Sequence, residues 1–343
     1  MKLIIQIPCL NESKNLAATF ADLPRNIAGI SSIEVLVIDD GSTDNTFEVA
    51  QSIGVHHIVR FPQRRGLAAA HMSGLDACLR LGADIVVNTD ADNQYVGKDI
   101  EKLIAPILTR SADIVIGDRQ THTIAHFSAT KRFLQRFGSR IVRSASGTGV
   151  RDSTSGFRAM NRKALSTLFV HNAFTYTLET IIQAGNAGLA IENVTIGTNP
   201  KTRDSRLFSS ISQYLRRNGG VILRSYGLYR PVRSFGLIAI FLLCVGSGLV
   251  FRFLYYYWLD PYTSSHVQSL QIGVGTIVLA FIVGLMALLS DLLATNRRLN
   301  EDILKRVRNV EAILSQEQIR KHRSLEGICT TSASPWAESP SSD

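Results

Sequence analysis

The chain has 343 residues, enough for a domain with a sizeable core plus appendages. Lysine and arginine outnumber aspartate and glutamate 37 to 28, and many of the basic residues fall between Lys131 and Arg233, which suits nucleic acid, anionic lipid or a phosphorylated substrate. No zinc-finger spacing or RNP-like aromatic pattern supports nucleic acid, and four scattered cysteines without ligand spacing argue against a disulfide framework and fit a reducing compartment.

Met1–Ile7 is an apolar run closed at once by Pro8, far too short for the core of a signal peptide. The first domain is therefore expected to stay on the side of the membrane where it is made. Short β-branched runs then alternate with helical stretches, the pattern of βαβ units around a parallel sheet. Strands are predicted at Leu3–Ile7, Glu34–Ile38, His57–Arg60, Ile85–Asn88 and Ile114–Ile116. Helices are predicted at Glu12–Asp22, Thr46–Ser52, Leu67–Leu81 and Lys98–Thr109. Strand after strand ends in polar residues: Asn11-Glu12, Asp39-Asp40, Asp90-Ala91-Asp92, Gly117-Asp118-Arg119. Ligands of open α/β sheets bind outside the carboxyl ends of the strands, so these clusters should converge on one cleft.

Further on, Phe235–Leu259 and Leu270–Ala294 are each long enough to cross a hydrocarbon layer of roughly 30 Å, predicting a two-helix transmembrane hairpin. Arg252 interrupts the first, but Tyr255-Tyr256-Tyr257-Trp258 follows, a cluster typical of a membrane interface. Two buried core helices are the alternative. Basic outer flanks (Arg230 and Arg233, Arg297 and Arg298) and a link, Asp260–Ser269, without Lys or Arg favour the membrane and put both ends of the hairpin on the cytoplasmic side. Leu299, Ile303, Val307, Val310 and Leu314 then recur every three or four residues. They predict an amphipathic helix over 295–316, either a coil for self-association or a helix lying on the membrane. The Ser-, Thr- and Pro-rich end is expected to leave a disordered tail over 317–343.

The chemistry should sit at Asp90-Ala91-Asp92, directly after a strand, with Gln94 two residues on. Two carboxylates on alternate residues can share one divalent cation, or one can bind it while the other holds a ribose. A hard cation such as Mg²⁺ or Mn²⁺ takes oxygen ligands, bridges them to a diphosphate and stabilises charge on a departing nucleoside diphosphate. Asp40, in Asp39-Asp40-Gly41-Ser42-Thr43-Asp44, can bind a base or ribose, while Ser42 or Thr43 caps the next helix. Glu12 either caps a helix start or reads the base. Lys131, Arg132, Arg136 and Arg140 form a basic stripe that suits anionic phosphates, or simply a solvated helix near anionic lipid. A phosphate monoester is ionised near neutral pH, so as an acceptor it needs placement and neutralisation more than a base.

Five motifs taken together, Ile7-Pro8-Cys9-Leu10-Asn11-Glu12, Asp39-Asp40-Gly41-Ser42-Thr43-Asp44, Asp90-Ala91-Asp92-Asn93-Gln94, Gly117-Asp118-Arg119 and Ser155-Gly156-Phe157-Arg158, resemble the family 2 glycosyltransferases. The resemblance is to the dolichyl-phosphate mannose synthase and polyisoprenyl-phosphate glycosyltransferase branch, over roughly residues 1–230. It implies a GT-A, Rossmann-like α/β domain over 1–230, followed by the hairpin at 235–294. It further implies that Pro8, Leu10, Glu12 and Asp40 hold the nucleoside, with Ala91 lending backbone contacts. Asp90, Asp92 and Gln94 would hold Mg²⁺ or Mn²⁺ and the diphosphate of a nucleotide-sugar donor. Arg119 would lie against a donor or acceptor phosphate. Arg203 and Ser205 resemble a basic loop that closes on the phosphates, joined by Lys131 and Arg132 at the acceptor. The loop departs from the family pattern, with Arg203-Asp204-Ser205-Arg206 in place of Gly-x-Ser-Lys. Glu179 would position a sugar hydroxyl or brace an arginine.

The implied reaction is an inverting, metal-dependent transfer of a sugar from a GDP- or UDP-linked donor to a polyisoprenyl phosphate. The implied setting is a cell or endoplasmic-reticulum-type membrane crossed more than once, with the catalytic domain cytoplasmic. A glycan or glycolipid acceptor is the main rival, but the Gln-x-x-Arg-Trp signature of processive synthases is missing. A scaffold without activity would have no need of Asp90, Asp92 and Gln94.

Overall fold

Lys2–Cys9 (β1), Ile85–Asn88 (β4) and Ile114–Asp118 (β5) read as almost unbroken apolar runs, and nearly every residue in them is buried. Such runs belong to strands covered on both faces. The computed structural model describes residues 1–120, 146–170, 176–199, 231–259 and 267–331. With Ser32–Asp39 (β2), His57–Arg60 (β3), Arg158–Asn161 (β6) and Ile191–Thr195 (β7), these strands form a sheet of order β3-β2-β1-β4-β6-β5-β7. The period of two then sorts the side chains. Leu3, Ile5 and Ile7 pack with Leu16 and Phe20 of α1 (Leu16–Asp22) and Ile100, Leu103 and Ile104 of α4 (Asp99–Leu108). On the other face α3 (Leu67–Arg80) presses so close that a Cβ on Gly74 would fall 2.5 Å from Gln6 Oε1. Helix α2 (Thr46–Ser52) follows β2.

The parallel pairing expected among β1 to β4 is present, and β6, a strand not expected from the sequence, runs antiparallel to both β4 and β5. The reversal has a consequence for function. A reversed strand begins where its parallel neighbours end, so Ser155–Arg158 arrives at the same edge as Asn88–Asp92 and Asp118. The register confirms it, with Arg158 opposite both Asn88 and Ile116. Helix α1 also starts later than expected, at Leu16. Asn11 takes a left-handed φ of 55° and the Glu12 N–H donates to Thr46 Oγ1 (2.9 Å), so the chain turns before it coils.

The chain divides into two compact units, Met1–Ser205 with Ile303–Asp343, and Arg206–Asp302. The first also holds two helices, α5 (Arg162–Thr167) and α6 (Thr177–Asn186). The second holds α7 (Pro231–Leu259) and the first part of α8 (Val267–Thr331), both long and apolar enough to cross a membrane. Their backbones meet at two glycines. A Cβ on Gly246 would lie 2.9 Å from the Gly273 carbonyl, and one on Gly273 3.1 Å from the Gly246 carbonyl. Small residues of this kind let apolar helices approach closely. The amphipathic stretch predicted at 295–316 is no separate element, since α8 continues through it to Thr331.

Candidate active site

Asp90, Asp92 and Gln94 are half-buried in the loop that leaves β4. The turn is tight: Asn93 has φ 55° and the Gln94 N–H donates to Asp92 Oδ1 (3.2 Å). Two flanking segments hold the loop. Thr19 of α1 donates to the Ala91 carbonyl (3.0 Å), and Asn199 donates to the carbonyls of Gln94 (2.8 Å) and Asn93 (3.0 Å). Gly197, whose N–H donates to Asp99 Oδ2 (2.6 Å), fixes the chain just before Asn199.

Behind the loop lies a buried polar layer. Asn88 donates from Nδ2 to the Gly156 carbonyl (2.8 Å) and to Tyr176 Oη (3.0 Å). Its Oδ1 accepts from Gln6 Nε2 (2.8 Å) and lies 3.0 Å from His71 Nδ1. His71 stacks on Tyr176 with centroids 3.7 Å apart, and Tyr95 on Phe157 at 4.8 Å. Gly156 donates to Tyr95 Oη (3.1 Å) and passes so near Asp90 that a Cβ would sit 3.0 Å from its carboxylate. Burial, and then Arg158, push His71 down to about 3, so it is neutral at physiological pH. Burial first and the Asp90 charge second push Tyr95 up to about 12 and raise Tyr176 as well. Both phenols therefore stay protonated. Arg158, buried beneath, donates to Ser155 O, Thr180 Oγ1 and Ser153 O.

The residues expected to hold a nucleoside gather at the ends of β1 and β2. Pro8 and Glu12 are buried, Leu10 is half-buried, and Asn15 Nδ2 donates to Glu12 Oε2 (3.1 Å). Asp40 has a local task. Its carboxylate accepts from the N–H groups of Arg65 (2.7 Å) and Gly66 (2.9 and 3.0 Å), tying down the start of α3. Asp44 does the same at α2, accepting from Ser13 and Thr46. Burial pushes the Cys9 thiol well up, and Glu12, Asp39, Asp44 and Asp90 add to it, so the cleft holds no thiolate there.

Arg119 follows β5, and its fork is engaged within the protein. Nε and Nη2 donate to the two oxygens of Asp152 (2.8 and 3.1 Å), and Nη2 also to Thr154 Oγ1 (2.9 Å). Burial alone would push Asp152 up, but Arg119 holds it below the usual carboxylate range. Glu179 is buried in the first turn of α6. Lys131, Arg132, Arg136, Arg140, Arg203 and Ser205 lie outside the described residues.

Residues 4–169 match the Glycosyl transferase family 2 profile. A UDP-N-acetylglucosamine–dolichyl-phosphate N-acetylglucosaminyltransferase of Methanococcus voltae is 29% identical over 47% of this chain and 70% of its own. A polyprenol monophosphomannose synthase of Mycolicibacterium smegmatis is 26% identical over 56% and 76%. The chain belongs to glycosyltransferase family 2. Its fold is that of GT-A enzymes. The structure of glucosyl-3-phosphoglycerate synthase from Mycobacterium tuberculosis, with Mn²⁺, UDP and phosphoglyceric acid, superposes with a TM-score of 0.52. That likeness covers 66% of this chain and 78% of the other, at 21% identity.

As a family 2 glycosyltransferase, the chain offers a cation two carboxylates and one amide. Among the described residues no three His, Cys, Asp or Glu side chains form a cluster that could hold a metal. Asp90, Asp92 and Gln94 all carry hard oxygen donors, the chemistry that Mg²⁺ or Mn²⁺ takes. The sequence reading missed the supporting layer of Gln6, His71, Asn88, Tyr95, Asp152 and Tyr176. One signal was available. Gln6 and His71 interrupt otherwise apolar runs, Leu3-Ile4-Ile5-Gln6-Ile7 and Leu67-Ala68-Ala69-Ala70-His71-Met72.

Proposed function

We propose that this glycosyltransferase moves a sugar from a GDP- or UDP-linked donor to a polyisoprenyl phosphate at the cytoplasmic face of a cell or endoplasmic-reticulum-type membrane. One observation carries the proposal. The Asp90–Gln94 loop stands at the carboxyl edge of the sheet in a chain that also has two helices long and apolar enough to cross a membrane. The relatives named for dolichyl-phosphate and polyprenol-phosphate transfer support a lipid phosphate as acceptor. The Mn²⁺ and UDP of the structural neighbour support a cation with a nucleotide donor. Residues 1–230 would then form the catalytic part and 235–294 the membrane hairpin.

Pro8, Leu10, Glu12 and the loop shaped by Asp40 would receive the nucleoside, while Asp90, Asp92 and Gln94 hold Mg²⁺ or Mn²⁺. The bound cation supplies neutralisation of the charge that gathers on the leaving diphosphate. The acceptor phosphate, already ionised, needs no general base, and Lys131, Arg132, Arg203 and Ser205 would set it in line with the anomeric carbon. Arg119, its fork held by Asp152 and Thr154, would lie at the edge of the site with its charge largely balanced by Asp152. No carboxylate is needed as nucleophile, so the sugar transfers in one inverting step.

A donor panel tests the proposal. Purified full-length protein would receive polyprenyl phosphate, each common nucleotide-sugar in turn, and Mg²⁺ or Mn²⁺. One donor should yield a lipid-extractable sugar, lost with EDTA and restored by the cation. Equal yield on dephosphorylated polyprenol, or full activity in EDTA, would refute the acceptor or the cation respectively.

A further inference from the structure

The last stretch of α8, from Ile303 onward, belongs to the same compact unit as the sheet and carries two unlike faces. One face is polar and small, and it is docked. Arg308, 7% exposed, donates from Nε to Asp76 Oδ1 (2.9 Å) and from Nη1 to the Leu168 carbonyl (2.7 Å). Gln316 donates to the Leu79 carbonyl (3.1 Å), and Ala312 is fully buried. Asp76 and Leu79 lie on α3, so this face clasps the catalytic unit.

The opposite face is apolar and uncovered. Ile303, Val307, Val310 and Leu314 are 49–59% exposed and follow one another at steps of four, three and four. That is two heptads of a coiled-coil seam. Asn300 occupies the preceding seam position, and Glu317 and Lys321 end the series. A lipid surface would call for a broad apolar face bordered by basic residues. Here exposed Leu299 and Ile313 extend the face on one side, but its borders are acidic as well as basic, Asp302 and Arg306 on that side and Glu311 on the other. In a parallel coil the residue before one seam position lies beside the residue five further on in the partner helix. Arg306 then meets Glu311 of a second copy, twice over by symmetry. Glu311 is exposed enough for this, since its ion pair with Arg80 is a loose 3.9 Å contact with both side chains 58% exposed.

We infer that residues 300–314 pair in parallel with the same segment of a second copy of this chain. The parallel sense follows from the membrane reading above, because copies in one membrane share their orientation and α8 is continuous from its apolar part into the seam. The pairing itself rests on the helix alone. Membrane anchoring raises the effective concentration, which lets two heptads suffice.

Site-directed crosslinking of the full-length protein in nanodiscs tests it. In a background with Cys244→Ser and Cys329→Ser, Val310→Cys should form a disulfide-linked pair on mild oxidation. Lys305→Cys, on the docked side, should not. Val307→Glu with Val310→Glu should shift the mass from a pair to a single chain. Arg306→Glu should weaken the pair, and adding Glu311→Arg should restore it. Crosslinking at 305 but not at 310, or a single-chain mass for the unaltered protein, would overturn the inference. So would a fluorophore at 310 that reports an apolar setting with one copy per vesicle, which would assign the seam to lipid. The crosslink needs no activity, so its failure is separable from failure of the proposed reaction.

Discussion

Around Asp90 the packing leaves almost no slack. A Cβ at Gly156 would stand 3.0 and 3.2 Å from the two Asp90 oxygens and 3.1 Å from Tyr176 Oη. Gly156→Ala should therefore fold but displace the carboxylate by a few tenths of an ångström. Because catalysis punishes small misplacements steeply, the expected loss in kcat is about tenfold or more, with KM for the donor changed less. Steady-state kinetics beside a thermal melt checks this, and an unchanged kcat would contradict the role given to Asp90. His71 makes a second prediction. Its folded pKa, about 3, lies below the ordinary 6.5, so between these values the unfolded chain binds a proton that the folded chain refuses. Its contribution is complete above about pH 6.5 and is lost as the pH falls toward 3, at up to roughly 1.4 kcal/mol per pH unit. His71→Gln should be less stable at neutral pH and show a flatter decline on acidification, measured as melting temperature against pH. Parallel curves for the two proteins would contradict a buried neutral His71.

The elements differ in how openly the sequence announced them. The hairpin glycines illustrate a feature visible only in three dimensions. Gly246→Leu would force atoms against Ile277 and the Gly273 carbonyl, whereas a Cβ at Gly248 meets nothing within 4 Å. Gly246→Leu should cost roughly 1–3 kcal/mol and lower the melting temperature in detergent, and Gly248→Leu should not. Equal effects would show that the two helices do not pack as described. By contrast, β1 to β5 and α2 to α4 were legible because each strand is a short β-branched run and each helix an amphipathic one. Strand β6 was not, since Arg158-Ala159-Met160-Asn161 is only four residues long and does not alternate apolar with polar side chains, and the turn before it at Ser153–Thr154 does not by itself announce a strand. Its reversal is a tertiary fact, set by pairing with β4 and β5. The same limit applies at the site. The Asp90–Gln94 loop was plain in the sequence, but Asp40 was readable only as a motif. That its oxygens accept from Arg65 and Gly66 depends on a loop twenty-five residues away. The layer of Gln6, His71 and Asn88 likewise joins three elements that no local pattern connects.

At the scale of the whole molecule, the proposed setting needs the sheet and both ends of the hairpin on one side of the membrane. The basic flanks of the hairpin and its link without Lys or Arg support that orientation. In a background without Cys244 and Cys329, Ser264→Cys should react with an impermeant maleimide added outside intact cells. Ser111→Cys, exposed on the catalytic unit, should react only after lysis. Labelling of Ser111→Cys from outside would reverse the orientation. The central claim, however, is chemical: a lipid phosphate oxygen displaces the nucleoside diphosphate from the anomeric carbon in one step, with Asp90 and Asp92 serving the departure. NMR of the purified lipid product tests it most directly. From an α-linked donor, the spectrum should show the anomeric carbon coupled to phosphorus, in the β configuration. An anomeric carbon without phosphorus coupling, or one that keeps the donor's α configuration, would contradict the account.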